Sequence, residues 1–210
     1  MILGSAVTDS TLKTDPRYVN ELKLTEKLLS SYALEQRAST DYEVMKVVNG
    51  MKDEYGAGTS NLLRIFNASG ERLFLRDAYH VRGNTWKYPF DMVIENGQWS
   101  VVLIVHTAYV EGMAGGVVYR TENNPRDIFC GWDIPYVGRN TVKAEIREVD
   151  YWKESANRTA THKAVNSGPS IFRSEAASSA LPHEYKVTMQ IANGTSPVTD
   201  VIFGRTNTLK

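Results

Sequence analysis

The side chains able to do covalent chemistry are few and scattered. Cys130 is the only cysteine, and the histidines are His80, His106, His162 and His183. A hydrolase needs a nucleophile beside a base, and the chain has no Gly-x-Ser-x-Gly elbow near any of them; a Cys130–His106 pair lacks the surrounding context. Metal spacing is also missing: there is no His-x-x-x-His, no Asp-x-Asp loop and no cysteine pair. The reading is therefore a non-enzyme that calls for neither metal nor cofactor. The non-covalent chemistry is concentrated in Phe129–Arg147 (FCGWDIPYVGRNTVKAEIR), where Trp132, Asp133, Pro135 and Tyr136 join two alternating segments. Trp and Tyr carry flat apolar faces with polar tips, suited to the boundary between water and something greasy. A hairpin with core aromatics would use the same residues.

Two further aromatic groups could extend such a surface. In RGNTWKYPF (residues 82–90), Trp86, Tyr88 and Phe90 recur with period two, although Trp86 and Phe90 would also suit the end of a core. Tyr151 and Trp152 are adjacent, and neighbouring residues of one strand cannot both face inward, so one is exposed or the pair lies on a turn.

The elements that must position these groups change character near Gly56–Ser60. Before it the pattern is helical. Asp15-Pro16 reads as an N-cap with proline at the first helical position, followed by Tyr18, Leu22, Leu29 and Tyr32 on one face. A second helix is expected from Thr40, with Glu43 completing a capping box, Val44, Val48, Met51 and Tyr55 on one stripe, and Gly56 or Gly58 at its end. After it the period is two. Leu63 and Ile65, then Leu73 and Leu75, flank the turn NASG (67–70), which reads as a hairpin; ENGQ (95–98) separates Met92–Ile94 from Trp99–Thr107. Gly115–Arg120, the two arms of the 129–147 hairpin, Tyr185–Ile191 and Thr199–Phe203 complete about eight short strands, the pattern of a β-sandwich. The stretch 155–181, rich in Ser, Ala, Asn and Thr, reads as a long excursion or surface loop. The organisation expected is one domain over 1–210, with a helical segment 1–58 before a sandwich 59–210.

The 24 Lys+Arg against 24 Asp+Glu leave no long-range field to draw in nucleic acid or anionic lipid. A neutral or zwitterionic partner fits better. The opening MILGSAVTDS lacks the basic lead and apolar run of a secretory signal, so the expectation is a soluble protein, cytoplasmic or released without a signal and peripheral on membranes when bound.

The segments NASGERLFLRDAYHVRGNTWKYPFDMVIENGQW, GMAGGVVYR and GWDIPYVGRN, in that order, resemble the actinoporin-like β-sandwich family over most of residues 60–147, and MQIANG (189–194) resembles its last strands. EYGAGTSNLLRIFNASG, the NGQW turn and VVYR resemble the plant 23 kDa jasmonate-induced proteins more closely. The chain is also similar to the nakanori type, non-lytic binders of sphingomyelin with cholesterol. The resemblance implies a mainly β, actinoporin-like sandwich flanked by N-terminal helices, with a phosphocholine site built from small hydroxyls, a Pro-Tyr turn and several tyrosines. The family's Ser-x-Pro-aromatic turn falls on Asp133, Ile134, Pro135 and Tyr136, with Asp133 in place of serine, and its glycine-rich loop falls on Met113–Gly116. A carboxylate there could attract a quaternary ammonium, which aromatic faces also bind by cation–π attraction worth ~0.5–2 kcal/mol. The membrane-anchoring Trp pair expected after the turn is missing, GRNTV standing in its place, and Tyr151–Trp152 are the substitutes.

The expected headgroup site is thus Asp133, Pro135, Tyr136, Trp132, Met113, Tyr151, Trp152, Trp86 and Tyr88, and the expected partner a sphingomyelin/cholesterol membrane surface. A glycan stacked on Trp132 and Tyr136, a pore-forming cytolysin and a structural stress protein are the alternatives. The charged circumference of the first helix makes spanning lipid costly.

Overall fold

The computed structural model describes residues 1–21, 23–108, 110–166, 172–178 and 184–209. Leu22, His183 and part of the 155–181 stretch lie outside them. In chain order the elements are β1 (Ile2–Leu3), α1 (Asp9–Thr14), α2 (Glu26–Tyr55), β2 (Ser60–Asn67), β3 (Leu73–Arg82), β4 (Asn84–Trp86), β5 (Val93–Ile94), β6 (Trp99–Val105), β7 (Met113–Thr121), β8 (Asp127–Ile134), β9 (Thr141–Arg147), a 3₁₀ turn (Tyr151–Lys153), α3 (Ser155–Asn166), β10 (Arg173–Ala177), β11 (Tyr185–Ile191) and β12 (Val198–Arg205). Among the described residues the strands form two sheets. The first runs β1-β6-β2-β12-β11-β10, with β4 also on β6; the second runs β5-β3-β7-β8-β9. This is the mainly β, two-sheet architecture with accessory helices that the pattern called for.

Burial explains the layering. The inward faces share one core, in which Leu63, Ile65, Ile104, Val117, Tyr119, Ile128, Cys130, Trp132 and Val201 interlock. Two outer faces are apolar as well, because β2, β6, β7 and β8 carry near-continuous buried runs rather than alternation. Each therefore needs a cover. Helix α2 lays Ala33, Val44, Val48 and Met51 on Phe66, Trp99, Val101 and Leu103 of the first sheet. On the second sheet, Trp152 of the 3₁₀ turn and Val165 of α3 cover Val118 and Phe129. Strand pairing on β8 and β9 matches the alternation read from sequence, with Cys130 opposite Ala144 and Trp132 opposite Val142.

The helical segment differs from expectation. Asp15 ends α1 instead of starting a helix, and its carboxylate accepts from the Arg17 amide at 2.9 Å. An Asp-Pro pair favours such a turn as readily as a helix start. The real start is Thr25, whose hydroxyl accepts from Leu28 N, and α2 then runs unbroken past Thr40. The apolar pattern breaks there because polar groups fill the sheet-facing stripe: Arg37 lies 5.6 Å over the Trp99 ring, and Thr40 Oγ1 accepts from Trp99 Nε1 at 2.9 Å.

Neither NASG nor ENGQ closes a hairpin. β2 and β3 belong to different sheets, as do β5 and β6, so both turns are corners between layers. The corner is a buried polar knot: Asn67 Nδ2 donates to Glu71 O (2.8 Å) and Ile94 O (2.7 Å), and Asn96 Oδ1 accepts from Gly70 N at 2.9 Å. Beneath it Tyr185 OH donates to the Glu71 carboxylate, and Arg205 reaches Glu71 at 3.2 Å and Glu26 at 2.5 Å. Burial raises the Glu71 carboxyl above its ordinary value. Within the 155–181 stretch, the described residues hold a helix and a paired strand, α3 and β10.

Candidate binding surface

Strand register gathers one set of loops at one end of the sandwich. Arg82 at the end of β3 pairs with Ala114 at the start of β7, and Ala114 pairs with Asp133 near the end of β8. The 106–112 and 135–140 loops therefore emerge side by side. They are locked together by close packing, since a Cβ on Gly112 would stand 2.3 Å from Ile134 O and 2.8 Å from Tyr136 N. Asn140, buried, ties the second loop to a third by donating to Ala192 O and Gly194 O at 2.9 Å each.

This end carries exposed apolar side chains that a soluble surface would not need: Val81, Val110, Tyr136, Val137 and Phe172. Val137 is 83% exposed and Tyr136 45%. Beside them, between β3 and α3, lies a largely apolar groove of about 620 Å³ lined by Tyr79, Val81, Ser155, Arg158, Thr159, His162 and Lys163. Tyr79 packs edge-on against His162, ring centres 6.2 Å apart. Near its mouth Arg82 Nη2 donates to Asp133 Oδ1 at 2.7 Å. Burial raises the Asp133 carboxyl, opposed by Arg82 and His162, and burial lowers the His162 imidazole. The zone thus presents apolar rims, hydroxyls, and cations beside carboxylates that are already paired, chemistry suited to a zwitterion on a greasy support.

The residues expected from sequence separate into distinct places. Tyr136, Pro135 and Asp133 share this end, but the Asp133 carboxylate is held by Arg82 rather than open to a free cation. Trp132 is fully buried between the sheets, 6.2 Å from Phe90 and 6.3 Å from His80 ring centres, so it has no face for a ligand. Met113 is likewise fully buried at the start of β7. Trp86 and Tyr88 lie on the flank, where Trp86 packs edge-on to Tyr55 of α2 (5.8 Å) under Lys87 (4.7 Å).

Tyr151 and Trp152 follow β9 at the opposite end and cannot replace an anchoring pair. Trp152 stacks on Phe129 at 5.4 Å and donates to Thr161 Oγ1, while Tyr151 stands under Arg147. Sequence reasoning missed Tyr79, Val81, Arg82, Arg158 and His162. The period-two run AYHVR marks the first three, but α3 hides its inward face because that face is mostly polar, half-buried Asn157 and buried Thr161 preceding buried Val165.

The sequence profile of the Nakanori-like protein family matches residues 3–206. The chain belongs to the Nakanori-like family. It is 29% identical to a 23 kDa jasmonate-induced protein of Hordeum vulgare over 158 residues, 72% of this chain and 74% of the relative. The fold superposes on the 1.5 Å crystal structure of the lipid-binding protein Nakanori with a TM-score of 0.89 at 23% identity, covering 98% of this chain and 100% of that one. That match is to the Nakanori-like fold as a whole, α2 and α3 included. Among the described residues, no helix is long and apolar enough to cross a membrane, and no group of three or more His, Cys, Asp or Glu is arranged to hold a metal ion.

Proposed function

We propose that the protein docks its loop end on membranes carrying phosphocholine headgroups, with sphingomyelin in cholesterol-containing bilayers as the preferred surface, and that it does so without forming pores. The observation that carries this reading is the concentration of exposed Val81, Val110, Tyr136, Val137 and Phe172 at one end of the sandwich, beside the Tyr79–His162 groove. Apolar tips on neighbouring loops gain free energy only when water is removed from all of them together, which a lipid interface does and a small solute does not. Arg82, whose pairing with Asp133 leaves further guanidinium donors, offers a phosphate partner near the groove, and the Tyr79 ring offers a face to the quaternary ammonium. The Nakanori structure is that of a lipid-binding protein, and membership of its family supports the same class of partner here. The glycan alternative loses its main stacking face with Trp132 in the core.

The test is co-sedimentation with vesicles of phosphatidylcholine, sphingomyelin, sphingomyelin/cholesterol and phosphatidylserine, beside a glycan array. Retention on sphingomyelin/cholesterol that survives raised salt supports the reading. Preference for phosphatidylserine with elution by moderate salt, or array binding without vesicle retention, refutes it.

A further inference from the structure

The trough between the second sheet and α3 does not end at the groove. The Arg158–Asp77 ion pair (3.0 Å) crosses it, and beyond that partition lies a second chamber of about 330 Å³. Its lining is of opposite character: Arg76, Arg120, Lys153 and Arg158 against Asp77, Asp127 and Asp150, with Val118 and Trp152 as the apolar floor. The three carboxylates are already committed. Asp127, 2% exposed, receives Arg120 Nε at 2.6 Å and Nη2 at 2.9 Å and also the Asp150 amide at 2.7 Å. Asp150 receives Arg120 at 2.6 Å, and Asp77 receives Arg158. Arg76 and Lys153 remain, and neither forms an ion pair among the described residues. Four cations over three anions make this chamber locally positive in a chain whose net charge is zero.

Asp150 is held in place for this arrangement. It is one of three non-glycine residues at positive φ (66°) among the described residues, and its amide and carboxylate are both engaged by the Arg120–Asp127 pair. The turn it starts presents Lys153 to the chamber, so the Arg120–Asp127 pair fixes the position of a cation that forms no ion pair within 4 Å among the described residues.

We propose that this chamber binds a small phosphate monoester, most simply a phosphorylated sugar, with the phosphate between Arg76, Lys153 and Arg158 and the polyol over Val118. Its volume suits a ligand of that size and not a lipid chain, and its walls supply charge-assisted donors where an apolar ligand would find none. Membrane docking is not required for it, since the chamber lies beyond the Arg158–Asp77 partition and includes Asp150, Trp152 and Lys153 from the end opposite the loops.

Titration calorimetry and amide chemical shifts, with glucose 6-phosphate, inorganic phosphate and glucose as probes, decide the matter. Saturable binding of glucose 6-phosphate, weaker binding of phosphate and none of glucose are expected. The double variant Arg76→Ala, Lys153→Ala removes two exposed side chains; it should weaken glucose 6-phosphate by about tenfold or more, the worth of a charge-assisted hydrogen bond, with melting temperature and vesicle retention unchanged. Equal binding of glucose and its phosphate, parent-like affinity of the double variant, or absence of saturable binding overturns the proposal.

Discussion

If the loop end enters the apolar part of a bilayer, its most exposed aliphatic side chain should report the transfer directly. Val137→Ala removes two methyl groups, each worth about 0.8 kcal/mol on full transfer from water. At 83% exposure in the free protein, the loss on docking is about 1.3 kcal/mol, close to a tenfold drop in partitioning. Folding stability should be unchanged, because those methyl groups meet water and not the core. Val19 (56% exposed) and Met92 (68% exposed) stand away from the loop end and serve as controls, and their alanine variants should partition like the parent. The assay is a titration of sphingomyelin/cholesterol vesicles at fixed protein, with melting temperature measured on the same samples. A Val137→Ala protein retained within about twofold of the parent, or a Met92→Ala protein that loses as much, refutes insertion of this loop.

Trp132→Ala and Tyr136→Ala, four residues apart, should diverge: loss of the buried indole costs about 3–5 kcal/mol of stability, while the exposed tyrosine leaves unfolding within about 0.5 kcal/mol and weakens vesicle binding. Equal melting temperatures for the two variants contradict the placement of Trp132. Dye-loaded vesicles should stay sealed at saturating protein, since among the described residues no apolar helix of spanning length is present; rapid release restores the pore-forming alternative. Burial lowers the His80 and His162 imidazoles below the ordinary 6.5, so the folded state holds fewer protons than the unfolded. Stability from these groups is therefore present above about pH 6.5 and lost as pH falls through the lowered values. His80→Asn should flatten the decline of melting temperature between about pH 7.5 and about pH 5, and an unchanged slope argues against a buried neutral His80.

How far the sequence reveals the fold depends on whether a local pattern had a local cause. The β8–β9 hairpin and the β11–β12 pair were legible because each strand pairs with its neighbour in sequence, and Pro135 and Asn193-Gly194 mark the reversals. NASG and ENGQ look the same locally but turn the chain between layers, and the polar knot of Asn67, Asn96 and Glu71 that decides this is built from separate segments. The helices failed for a related reason: Thr40 and Arg37, half-buried, pack on Trp99, a partner about 60 residues away, so a continuous helix read as two. Of the expected site, Tyr136 proved exposed because it follows Pro135 out of the sheet. The groove residues Tyr79 and His162 meet only in the folded chain, where no spacing rule connects them.

The parallel pairing of β12 with β2 sets when this protein can become itself. Arg64 and Asp200, 136 residues apart, are joined at 2.6 Å in the middle of the first sheet, and β12 separates β2 from β11. Until that strand arrives, β2 keeps one open edge and the face beneath α2 is only half built. Closure of the first sheet therefore waits for β12, and a loop of that length makes closure a slow, late event. During synthesis the second sheet, whose β3, β7, β8 and β9 pair in chain order, can form first and wait. The 135–140 loop would then be held on a half-finished scaffold, and the loop end of the sandwich would be completed together with the fold's stability in one final step.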